Sequence, residues 1–220
     1  MKNIRSIITL LLLAAAPSSM GQGQVIFYNR AVAAGVVAPV YGVNPLNPTL
    51  ALHGQATTNG GTVNYSGYPL LSGTTFTASL WGRPANNGLV EVQFMELAQT
   101  PFRTSSPLSG TFGLGLLGNP VQVPGVTTDG TPYDFQVRVW NNQSGTITTW
   151  AQVLATTGAE AGASTVFTTG VAVLPPATEA SVLYGLTSFN LTIVPEPSMV
   201  LLGVLTGVAL LWRRRVSRKN

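Results

Sequence analysis

Between residues 75 and 81 apolar and polar positions alternate without a break. Phe76, Ala78 and Leu80 fall on one side, and Thr75, Thr77, Ser79 and Trp81 on the other. A period of two is the mark of a strand with one buried face. Val90, Val92 and Phe94 repeat the pattern after Asn86-Asn87-Gly88, a turn-forming triplet, so residues 75–97 are predicted to form a hairpin. Tyr133, Phe135, Val137 and Val139 alternate with Asp134, Gln136, Arg138 and Trp140. After residues 141–145 turn the chain, a return strand over 146–154 would complete a second hairpin. Further strands are predicted over 24–29, 61–65, 111–117, 165–173 and 181–193, and no stretch between the two chain ends has a convincing helical period. Short alternating strands separated by turn clusters predict an all-β fold, a single β-sandwich of jelly-roll kind. The two hairpins also share the order Trp, Asn-Asn, Gly, Leu-Ala, a faint sign of internal duplication that convergent hairpin chemistry explains equally well.

The chain ends follow different rules. Residues 1–5 carry Lys2 and Arg5, residues 7–16 are apolar except for Thr9, and small residues follow. This three-part pattern predicts a secretory signal-peptide helix over 1–21, handled by the Sec translocon and signal peptidase, with the cut after Gly21. At the other end Val194-Pro195-Glu196-Pro197-Ser198 precedes the uncharged run 199–212, and Arg213, Arg214 and Arg215 open a basic tail over 213–220. A helix over 199–212 would span about 21 Å, short for a permanent anchor. The arginines would hold its end in the cytoplasm as a stop-transfer cluster. The two prolines keep residues 194–198 extended, open to a protease at the membrane surface.

Residues 194–220 resemble the PEP-CTERM sorting domain, in which Val-Pro-Glu-Pro, a transmembrane helix and an arginine cluster occur in that order. The resemblance implies recognition by the membrane protease exosortase, with Val194, Pro195, Glu196 and Pro197 as the motif. It also implies processing near that motif and delivery to the cell surface or exterior of bacteria that make exopolysaccharide. A Gly-Gln near the end of the leader, followed by the apolar stretch 25–30, is similar to tag-bearing proteins of verrucomicrobial type. The tag implies no catalytic activity in the ectodomain over 22–193.

Charge changes the picture once it is located. The chain has a net charge of +4, but seven of its eleven Lys and Arg residues lie in the two end segments. Residues 22–194 hold four arginines (30, 83, 103 and 138) against six carboxylates, a net charge of −2, so no footprint for nucleic acid remains. Cysteine is absent, which removes disulfides, thiolate metal sites and thiol nucleophiles.

Catalytic chemistry finds little material. His53 is the one histidine and has no nucleophile elbow near it, so neither a Ser-His-Asp triad nor a zinc site is expected. Glu91 and Glu96 would point to opposite faces of one strand. Asp129 and Asp134 bracket a turn but lack the dense acidic ligands of an established calcium loop. Gly113-x-Gly115-x-x-Gly118 has the letters of a dinucleotide fingerprint without its βαβ setting. Asn64, Asn142 and Asn190 match glycosylation acceptors by coincidence. No catalytic, cofactor or metal residue is expected, and the ectodomain reads as non-enzymatic, with a secreted hydrolase as the third reading.

The leading alternative is carbohydrate. By strand parity Trp81, Trp140 and Trp150 lie opposite the apolar row of their own strands, where exposed indoles could stack on sugar rings of an exopolysaccharide. Gln136, Arg138, Asn141 and Asn142 would supply polar neighbours. The same parity is equally met by indoles covering a second layer or a sheet edge.

Overall fold

The computed structural model describes residues 22–85, 93–113, 120–174, 177 and 179–195. The expected signal peptide, Glu196, Pro197, the 199–212 helix and Arg213, Arg214 and Arg215 lie outside them. In chain order the strands are β1 (Gly23–Val25), β2 (Arg30–Ala31), β3 (Val36–Val37), β4 (Val40–Tyr41), β5 (Phe76–Pro84), β6 (Met95–Pro101), β7 (Val121–Val123) and β8 (Thr131–Asn141). After the short helix α1 (Trp150–Ala155) come β9 (Glu160–Ala163), β10 (Phe167–Val173), β11 (Phe189–Asn190) and β12 (Thr192–Ile193).

The all-β expectation holds. Eight strands form one sheet whose hub is β8. Along one edge β8 pairs antiparallel with the whole of β5, from Phe76↔Asn141 to Pro84↔Tyr133, and β5 continues to β6. The other edge is shared. The first half of β8 pairs with β10, which leads on to β1 and β7, and the second half pairs with β9, which leads to β12. The two outer strands, β6 and β7, come back toward each other, so the sheet is nearly closed. Two short pairs complete the architecture: antiparallel β2–β3, turned by Gly35 in the left-handed region at φ 74°, and parallel β4–β11.

Inside the curl lies one main core. Alternation delivers Ala78 and Leu80 of β5 and Tyr133, Phe135, Val137 and Val139 of β8 to it, as expected. Val25, Phe27, Val123, Val171 and Phe189 fill it from the other strands. Phe112 joins two rings at once, 5.0 Å from Phe27 and 5.4 Å from Phe102 between ring centres. Loops are tied by buried asparagines. Asn29 donates to the carbonyls of Ala38 (2.7 Å) and Gly110 (2.9 Å) and accepts from the Phe112 N–H (2.9 Å).

Four expectations need correction, one of them being the strand over 181–193, where only the two-residue β11 and β12 form. Residues 146–154 are not a returning strand: residues 150–155 are the helix α1, and the partners of β8 are β5, β9 and β10. Thr149 caps the helix, its hydroxyl accepting from the Gln152 N–H, and the Gln152 side chain reciprocates toward the Thr149 backbone. In the first hairpin the return strand begins at Met95; Val90 and Val92 are outside the described residues. Residues 61–65 contribute a single bridge, Ala56↔Val63, in place of a strand.

Candidate functional site

Trp81 and Trp140 lie on the outer face of β5 and β8, as parity predicts, whereas Trp150 belongs to helix α1 and not to the expected strand, and it joins Trp81 in one cluster around a cation. Ser79 and Trp81 of β5 face Arg138 and Gln136 of β8 in the paired register. The guanidinium of Arg138 is 4.0 Å from the centre of the Trp81 ring and 5.5 Å from that of Trp150, so it is wedged between two indoles. Its Nε donates to Gln136 Oε1 at 2.9 Å, and Gln136 in turn donates to the Ser164 carbonyl at 3.2 Å. Burial lowers the Arg138 pKa, and the nearby Glu96 carboxylate acts in the opposite sense. Glu96 is held by Ser79 Oγ (2.5 Å) and Gln99 Nε2 (2.6 Å), and Gln99 also reaches the Thr148 carbonyl.

Trp140 overturns the expected three-indole platform. It is 0% exposed, and its Nε1–H donates to the Ile147 carbonyl at 3.1 Å. Ile147, Val153, Ala159 and Ala161 surround it in a second, smaller core, with Trp150 packed at its margin, 6.1 Å away between ring centres. Helix α1 and the chain leading into it therefore roof this part of the sheet. No sugar can reach Trp140. Trp81 and Trp150 are half-buried, and each turns a ring face to Arg138. The Trp81 Nε1–H is buried without an acceptor among the described residues.

The carboxylates are dispersed among separate structural duties. Asp134 pairs with Arg83 at 3.4 Å and accepts from Thr168 Oγ1 at 2.7 Å. Asp129 accepts from the Val173 N–H, and Glu160 from Asn141 Nδ2. Glu91 is outside the described residues. His53 is exposed and forms a backbone bridge to Phe189. Among the described residues no group of three or more His, Asp and Glu side chains could hold a metal ion. Asn190, one of the three acceptor-like asparagines, is 2% exposed and fastens residues 50–52 through Leu50 and Leu52.

Val194, the first residue of the expected Val-Pro-Glu-Pro motif, is part of the fold. The Val194 N–H donates to Ala159 (2.8 Å), its carbonyl accepts from Gly158 (3.2 Å), and its side chain packs against the Trp140 core. Pro195 beside it is exposed. No helix among the described residues is long and apolar enough to cross a membrane.

One feature had no sequence signal. Arg30 and Arg103 both line a cleft of about 200 Å³, with Tyr28, Val32, Leu108 and Thr111. They are 73 positions apart in the chain and are joined by the Tyr28↔Gly113 and Phe102↔Phe112 bridges. Comparison of the chain with protein-family models, with curated proteins and with solved structures returns no match.

Proposed function

We propose that the chain is an exported, non-enzymatic protein of the bacterial cell surface or extracellular matrix, carried out by a signal peptide and sorted through a C-terminal PEP-CTERM tag by an exosortase-type protease. The observation that carries this reading is the order of signals in the sequence: a basic and apolar leader, then Val194-Pro195-Glu196-Pro197, an uncharged run and Arg213-Arg214-Arg215. The fold is compatible with it. Val194 is tied to Ala159 and Gly158, and the chain comes into the open at Pro195, where a protease would need it. On this reading the curled sheet is the sandwich-like ectodomain of a protein associated with exopolysaccharide.

Intact-mass spectrometry of the protein from producing cells and their medium tests the sorting. A species beginning near Gln22 and ending near Pro197, lost when Pro195 and Pro197 are both replaced by Ala, is the expected result. A membrane-bound species that keeps residues 213–220 in both forms would mean a plain anchor. The carbohydrate-binding alternative no longer has a three-indole platform, because Trp140 is enclosed and Arg138 occupies the space between Trp81 and Trp150.

A further inference from the structure

The four arginines of residues 22–195 have different surroundings. Arg83 pairs with Asp134, and Arg138 is wedged between indoles near Glu96. Arg30 and Arg103 have no carboxylate partner among the described residues, yet they line the same cleft. Two guanidinium groups without a carboxylate partner among the described residues thus border a common space in a domain whose net charge is negative. An anion in that space would be attracted by both.

The cleft is built around Arg103. Its Nη2 is 3.1 Å from the point a Cβ would occupy on Gly113, and the Tyr28 Cβ is 3.0 Å from the same point. Glycine at 113 thus leaves the room that the Arg103 guanidinium occupies. The buried Asn29, bonded to residues 38, 110 and 112, fixes the backbone on either side. Around the charges the wall is apolar: Val32 is 62% exposed, and Leu108 and the Tyr28 ring stand beside it.

We propose that this cleft binds an anionic sugar unit, with a ring carboxylate held by Arg30 and Arg103 and the C–H face of the ring on Tyr28 and Val32. A guanidinium presents a planar fork of donors that matches a carboxylate, and an apolar wall next to it suits the face of a pyranose. The proposal deepens the exopolysaccharide reading by giving the polymer a charge, and rests on that reading for the source of the sugar. It shares no residue with the Trp81–Arg138–Trp150 cluster. A single open site of this kind binds weakly, and repetition along a polymer supplies the retention.

The test is titration of the full-length protein, in mild detergent, with trigalacturonate, its methyl ester and inorganic phosphate. Binding of trigalacturonate is expected to fall about tenfold in Arg103→Gln and in Arg30→Gln, each removing one charge-assisted contact. The methyl ester should bind as poorly as the acid does to the variants. Arg103→Lys keeps the charge without the fork and Gly113→Ala crowds the guanidinium; both should weaken binding, with near-ultraviolet circular dichroism reporting whether the fold is kept. Absence of binding, equal binding of the ester, or indifference to both glutamine variants overturns the proposal. So does competition by phosphate at the same concentration, which would leave an anion site without sugar recognition. Sorting is read separately by mass, so either idea can fail alone.

Discussion

Arg138 lies 4.0 Å from the centre of the Trp81 ring, reaching diagonally from β8 to the strand paired with it. The contact holds two strands and the edge of α1 together through one planar cation. Arg138→Ala is expected to cost about 1–2 kcal/mol through lost stacking and packing. Arg138→Lys should recover less than half, because an ammonium lacks the plane that lies on the indoles. Urea denaturation of the two variants measures this, and full recovery by lysine would show that only charge matters.

Trp140 has the opposite character. Trp140→Ala is expected to cost about 3–5 kcal/mol, since it empties the second core and leaves the Ile147 carbonyl without its donor. Its emission should be blue-shifted and shielded from iodide quenching in the native protein. Free quenching of all the tryptophan emission would contradict the enclosed site.

Asn29 uses three hydrogen bonds at full burial. Asn29→Ala should destabilise by about 2–4 kcal/mol, because three backbone groups lose partners at once. The same change should loosen the backbone that carries Arg30. A thermal melt within a degree or two of the wild type would show that water replaces the side chain at little cost.

Tyr65 makes the fold sensitive to alkali. Its hydroxyl is 2.9 Å from the Ser188 carbonyl, and its ring stacks on Tyr41 at 4.2 Å. Burial first, and then the Tyr41 and Tyr68 phenols, push its pKa above the usual tyrosine value. A proton held more tightly in the folded than in the unfolded chain gives stability that is complete below about pH 10, the unfolded tyrosine value, and is lost as pH rises toward the folded one. Stability should therefore fall from pH 10 upward, and Tyr65→Phe should flatten that fall while lowering stability at neutral pH. An unchanged alkaline slope in Tyr65→Phe would assign the effect elsewhere.

The strands that sequence revealed are those with one wet and one dry face. β5, β8 and β10 alternate because Phe76, Tyr133 and Phe167 begin rows that enter the core. β9 escaped notice because Glu160–Ala163 is a glutamate followed by three small residues, without alternation, held by pairing on both sides. The two-residue strands β2, β3 and β4 are too short to show a period, and the two-residue β11 and β12 are all that forms of the expected strand over 181–193. Helix α1 had a legible signal in Thr149-x-x-Gln152, a capping box, but Ile147, Trp150 and Val153 also resemble a strand's apolar positions. Parity placed Trp140 on the correct face of β8, and parity has no knowledge of what covers that face. The Arg30–Arg103 cleft depends on tertiary pairing alone.

The position of β1 governs when the sheet can be assembled. Gly23 sits between Val173 of β10 and Val123 of β7, so the first strand of the domain has no neighbour until the chain has been delivered to residue 123, and not both until residue 173. Parallel β4–β11 likewise waits for Phe189. Contacts so distant in sequence make folding slow, because long loops must close before any of them is gained. A chain passed across a membrane N-terminus first could therefore close its sheet only after its last strands emerge on the far side.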